Sequence, residues 1–136
     1  MSVSVNGGCL CGALRYTSTP YNEKAANYCH CRLCQKANGA PVVVFTWVPK
    51  ENFKFAKGKP QRYATSDKGE RLFCGTCGTQ VGFETKGPVV GVTVPTLDNP
   101  EDFAPQQHIF VSSKQPWFKD NDGLPHLKEG PDSESI

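Results

Sequence analysis

Tyr28-Cys29-His30-Cys31-Arg32-Leu33-Cys34-Gln35-Lys36 packs three potential metal ligands into six residues and leaves a tetrahedral ion one ligand short. Zinc in structural sites usually takes four protein ligands, whereas catalytic zinc takes three and keeps a position for water or substrate. The other four cysteines fall into two pairs, Cys9 with Cys11 and Cys74 with Cys77, which together make one closed set. The seven cysteines divide as four plus three. Two zinc ions per chain are expected, one structural and one with an open position.

Two other readings of the cysteines explain less. A disulfide framework is disfavoured by the odd number and by the absence of a basic start and apolar run of the secretory kind. A single redox pair, Cys31 with Cys34 or Cys74 with Cys77, leaves five cysteines idle. The 136 residues are expected to form a single zinc-binding domain, with a core over about 5–127 and a flexible C-terminal tail. The formal charge of +2 would become about −1 with seven thiolates around two zinc ions. That balance carries no basic footprint for nucleic acid, and no run is long enough to span a bilayer. A cytoplasmic protein with neither nucleic acid nor membrane as partner is expected.

Working outward from the three cysteines, residues 32–38 tolerate helix, and Asn38-Gly39 supplies a left-handed stop. The helix start would face the metal, where amides and the positive dipole end favour thiolates. In an extended segment His30 points away from Cys29 and Cys31, which assigns it to the surface or behind the ligands. Upstream, Cys9 and Cys11 on a strand would share one face while Leu10 turns to the core. A short strand over 25–28 leads into the cluster. Downstream, the apolar run 40–47 reads as a buried strand, with Phe53 and Phe55 alternating after it. Residues 61–64 and 70–73 flank a Ser66-Asp67-Lys68-Gly69 turn, a hairpin that delivers the Cys74-Gly75-Thr76-Cys77-Gly78 knuckle. Strands resume over 80–83 and 89–94, and 108–111 is the last. An irregular arm follows, and 129–136 reads as disordered.

Gly8-Cys9-Leu10-Cys11-Gly12 with Tyr16, the run from Cys29 to Lys36 with Gly39-Ala40, Phe73-Cys74-Gly75-Thr76-Cys77-Gly78, Thr96-Leu97-Asp98, His108-Ile109-Phe110 and Trp117 together resemble the glutathione-dependent formaldehyde-activating enzyme family, which also includes a centromere protein. The resemblance runs from Gly8 to about Pro125. It implies a mainly β, Mss4-like fold of zinc-bound sheets with one short helix after the three-cysteine cluster. It implies a structural zinc on Cys9, Cys11, Cys74 and Cys77 and a catalytic zinc on Cys29, Cys31 and Cys34.

The resemblance further implies a carbon–sulfur lyase of the S-(hydroxymethyl)glutathione synthase type, acting on thiol adducts through a zinc-bound substrate thiolate. Glutathione or a similar small thiol would be the partner. The rival reading is a noncatalytic zinc module that carries a thiol or binds a protein. Lys36, His108, Ser113, Lys114 and Trp117 are the candidates for substrate contacts. Trp117 has the alternative of anchoring the arm, and Lys114 that of a solvated charge.

Overall fold

A computed structural model of the chain describes residues 4–19, 26–131 and 133–135. Of the expected features, the first three residues, Pro20 and Tyr21 of the first turn, Ala25, Asp132 and Ile136 lie outside the described residues. The strands are β1 (Val5–Gly8), β2 (Arg15–Ser18), β3 (Ala26–Cys29), β4 (Val43–Pro49), β5 (Lys54–Lys57), β6 (Gln61–Ser66), β7 (Gly69–Phe73), β8 (Gln80–Thr85), β9 (Val89–Thr93) and β10 (Gln107–Ile109). One α-helix, α1 (Arg32–Asn38), follows the three-cysteine cluster, and Gly39 ends it in the left-handed region at φ 60°. The fold is mainly β, as expected.

β1, β2 and β5 make a three-stranded sheet, and the rest make a seven-stranded sheet in the order β10-β3-β4-β9-β8-β7-β6. Within the large sheet every pairing is antiparallel except β10 on β3. Side chains alternate across a strand, and in β4 that alternation separates two cores. Val43, Phe45 and Trp47 pack with Cys29, Cys34, Ile109 and Leu127. Val44 and Val48 pack with Val5, Leu14, Tyr16, Leu72, Val90 and Val92. A strand covered on both faces reads as a continuous apolar run, which is why 42–45 shows no polar alternation.

Three expectations are corrected. β1 ends at Gly8, and residues 9–12 form a turn closed by the Gly12 amide donating to the Cys9 carbonyl at 3.2 Å. Leu10 therefore stands at the turn's tip, 88% exposed, and is not a core residue. The last strand covers Gln107–Ile109 and stops where Phe110 turns left-handed at φ 56°. The described part of the tail is folded back: the Leu127 amide donates to the His108 carbonyl at 2.8 Å, and Leu127 pairs with Ser135. Leu127 supplies the apolar anchor, since it fills the core beside Ile109.

Polar pairs hold the arm between β10 and Leu127. Asp120 accepts from Lys114 Nζ at 2.9 Å and from His126 Nε2 at 2.8 Å. Lys114 first, and His126 after it, hold the Asp120 carboxyl down to about 2 against the effect of burial. A carboxylate with a lowered folded pKa adds stability above its ordinary value near 4, and this is lost as pH falls toward 2. Asp120→Asn is expected to cost about 1–3 kcal/mol at neutral pH, a deficit that closes below about pH 4. Amide-exchange protection across 110–128 measures it. Equal protection of the two proteins at pH 7 would show these pairs to be idle.

Candidate metal centre

Two tight turns assemble the four-cysteine set. Each is followed by a glycine at positive φ, Gly12 at 83° and Gly78 at 81°, a region that a side chain with Cβ rarely enters. The four sulfurs all lie within 4.8 Å of one another, with Cys9 to Cys11 at 3.6 Å and Cys11 to Cys74 at 3.8 Å. A tetrahedron of sulfurs about 2.3 Å from a zinc ion has edges of roughly 3.8 Å, so this donor set fits zinc. Backbone amides point at the sulfurs: Leu14 donates to Cys9 Sγ at 3.2 Å, and Thr76 and Cys77 donate to Cys74 Sγ at 3.3 and 3.5 Å. Such donors stabilise sulfur that carries negative charge.

Thr79 ties the two half-sites together. Its Oγ1 accepts from the Leu10 amide at 3.1 Å and lies 3.2 Å from Cys77 Sγ. That hydroxyl is the first cause holding the Cys77 thiol down to about 5. Cys11 is instead pushed up to about 11, the Ala13 amide opposing a rise that burial and the neighbouring sulfurs impose. A divalent cation relieves this crowding by letting all four ionise.

The three-cysteine set is spread over the end of one strand and the start of the helix. Cys29 ends β3, Cys31 is the N-cap of α1, and Cys34 lies within α1. Cys29 and Cys34 are buried with their sulfurs 3.5 Å apart, and Cys31 is half-buried. Hydrogen bonds from Cys29 and Cys34, and then from the Cys34 and Leu33 amides, hold the Cys31 thiol down to about 2. Cys29 is driven upward by Cys31, Cys34 and burial.

Arg71 is the residue that sequence reading missed. It is buried, its Nη1 donates to Cys34 Sγ at 3.3 Å, and its guanidinium lies 4.5 Å from the Phe83 ring centroid. Nε donates to Thr65 Oγ1 at 3.3 Å, so among the described residues Cys34 is the partner that can take a negative charge. A buried guanidinium without an anion is costly. This arrangement suits an ionised sulfur on Cys34.

His30 is fully buried and not a surface residue. Its Nε2 lies 2.8 Å from His108 Nδ1, and His108 Nε2 lies 2.7 Å from Asp122 Oδ2. A carboxylate only accepts, so His108 donates through Nε2 and takes the His30 proton at Nδ1. Burial first, and His108 second, hold His30 down to about 4, which keeps it neutral. His30, His108 and Asp120 gather closely enough to suggest a metal site. The 2.8 Å between nitrogens is nevertheless a hydrogen-bond length, below the roughly 3.3 Å between two nitrogens of a tetrahedral zinc site.

The remaining candidates for substrate contact are divided. His108 stacks between Tyr28 and His126, at 4.6 and 4.4 Å, and with Lys114 it holds the arm. Ser113 gives its carbonyl to Gln35 Nε2 at 3.0 Å. Trp117 is 63% exposed at a depression of about 320 Å³ shared with Arg32 and Gln115. Lys36 reaches a cleft of about 590 Å³, which lies between α1 and the β6–β7 hairpin and includes Arg71 in its lining.

A Schizosaccharomyces pombe protein described as an uncharacterized lyase is 31% identical over 77 residues, 57% of this chain. The match spans 55% of that relative's length. The crystal structure of a Rhodobacter sphaeroides protein superposes with a TM-score of 0.61 at 23% identity, over 73% of this chain and 94% of the other, a likeness of fold. Residues 4–113, which contain all seven cysteines, match the model of one family. The chain belongs to the glutathione-dependent formaldehyde-activating enzyme family.

Proposed function

We propose that the chain is a carbon–sulfur lyase that joins a small thiol such as glutathione to formaldehyde and releases it again. Cys29, Cys31 and Cys34 would form its reactive centre, and Cys9, Cys11, Cys74 and Cys77 its structural one. The observation that carries this reading is the buried Arg71 on Cys34, which favours an anionic three-sulfur set. The family description and the lyase relative support the reaction class.

A zinc ion held by the three sulfurs would keep a substrate thiol ionised at neutral pH. The substrate sulfur then attacks the formaldehyde carbon, a carbon–sulfur bond forms, and the carbonyl π pair moves to oxygen. That oxygen takes up one proton, matching the one the thiol gave up, so no oxidant or reductant is needed. Three thiolates make the centre too electron-rich to polarise a carbonyl well. Its contribution is orientation of the sulfur, with Arg71 fixing Cys34 and the amides of α1 fixing Cys31. Seven free thiols suit a reducing compartment such as the cytoplasm.

Exchange spectroscopy on glutathione with formaldehyde tests this. Protein purified without chelator is expected to speed adduct exchange, and Cys31→Ser to abolish the gain. Thiol binding without acceleration would replace the enzyme by a thiol carrier. Failure of every thiol to bind would end both readings.

A further inference from the structure

His30 and Cys31 belong to neither β3 nor α1, so neither element by itself fixes the peptide that joins Cys29 to Cys31. Hydrogen bonds from two other elements hold it. The His30 amide donates to the Ile109 carbonyl of β10 at 3.0 Å, and the His30 carbonyl accepts from Gln35 Nε2 at 2.7 Å.

Gln35 is 4% exposed although its side chain is polar. Its Nε2 also donates to the Ser113 carbonyl at 3.0 Å. Both partners of Nε2 can only accept, which fixes the orientation of the amide. Its Oε1 accepts from Gln115 Nε2 at 2.7 Å and from Arg32 Nη1 at 3.3 Å. All four hydrogen-bonding positions of the side chain are thus filled. Two of the partners, Ser113 and Gln115, stand on the arm, 78 and 80 residues further along the chain. Phe118 of the same arm lies edge-on to the His30 ring, 5.5 Å between centroids.

We infer that Gln35 is a positioning residue for the three-cysteine set. Through it the arm over residues 113–118 holds the Cys29–Cys31 connection in the geometry that gathers the three sulfurs. The inference rests on the reading of Cys29, Cys31 and Cys34 as one metal-binding set and adds what keeps that set in shape. Metal ligands must sit within a few tenths of an ångström of their proper distances, so a connection free to turn about His30 loses affinity. Linkage is reciprocal, and an ion on the three sulfurs steadies the arm in return.

Cobalt titration followed by sulfur-to-cobalt charge-transfer absorption, with amide exchange on the same samples, tests this. The wild type is expected to take up cobalt in two steps, and Cys31→Ser identifies the one that belongs to the three sulfurs. Gln35→Met keeps the volume and removes all four bonds. It is expected to weaken the three-sulfur step by about 10–100-fold and to leave the four-sulfur step unchanged. Filling the three sulfurs is expected to slow exchange of the Lys114 and Phe118 amides, which bond to Val111 and Gln115 within the arm, in the wild type and not in Gln35→Met. Gln115→Ala cuts the link from the arm's side, at a half-buried position, and decides the matter if Gln35→Met does not fold. It is expected to weaken the three-sulfur step about fivefold, the worth of one hydrogen bond, and to add nothing to Gln35→Met. Unchanged affinity in these variants would overturn the inference and leave the metal set in place. So would equal weakening of both sulfur sets, or arm exchange indifferent to the metal. A wild type that takes up a single equivalent would remove the three-sulfur metal set itself, and this inference with it.

Discussion

Cys74→Ser is expected to leave the chain unfolded at room temperature, whereas Cys31→Ser is expected to melt near the wild type. Cys74 is 2% exposed within the core that holds Leu14 and Leu72, and its sulfur accepts from the Thr76 and Cys77 amides. It also faces Cys11 across a sequence separation of 63, so an ion on this set ties the β1–β2 connection to the knuckle after β7. Structural zinc contributes about 10–16 kcal/mol of apparent binding energy, against a typical net stability of about 5–15 kcal/mol. Losing one of four ligands thus removes an amount comparable with the whole stability of the fold. Cys31 differs because it is half-buried at an N-cap, where serine is itself a good capping residue. Metal analysis is expected to find about two zinc ions in the wild type and one in Cys31→Ser. If circular-dichroism melts of the two variants coincide, the division into four plus three is wrong.

Arg71→Met is expected to weaken metal binding at the three-cysteine set by about 10–100-fold, as loss of a residue that supports metal ligands usually does. Methionine replaces much of the buried volume, so the change isolates the charge. The sign of the stability change is informative. With ionised sulfurs, removing the guanidinium leaves buried charge unpaired and costs about 3–5 kcal/mol; with neutral thiols, an apolar replacement would be neutral or stabilising. Arg71→Lys keeps the charge but not the fork of donors, so recovery is expected to be partial. Competition against a graded zinc chelator, with denaturant melts on the same samples, measures both quantities. Unchanged metal retention together with raised stability would refute the anionic centre and, with it, the proposed chemistry.

Much of the fold was legible because its signals are local. Residues 32–38 lie between an N-cap cysteine and a glycine that accepts left-handed geometry, and the helix occupies those residues. Ser66-Asp67-Lys68-Gly69 carries turn chemistry, and Ser66 pairs with Gly69 across it. The pairing of the two cysteine half-sites was readable from ligand count, and their sulfurs do converge. Strand periodicity was a poorer guide at Cys9 and Cys11. Alternation and a tight turn can both bring residues i and i+2 to one side, and only the turn throws Leu10 outward.

Sequence by itself determined the cysteine pairs, the helix, the main strands and the family, because spacing, caps and period are properties of neighbouring residues. Tertiary structure alone decided that Arg71 on β7 would meet Cys34, 37 residues away, and that His30 would meet His108, 78 residues away. It also decided that Lys36 on α1 and Arg62 on β6 would face one cleft. A strand's period names the face on which a side chain stands but not the element laid against that face. That choice comes from sheet order and from burial of both faces of β4, free energies summed over the whole chain and written in no single stretch of it.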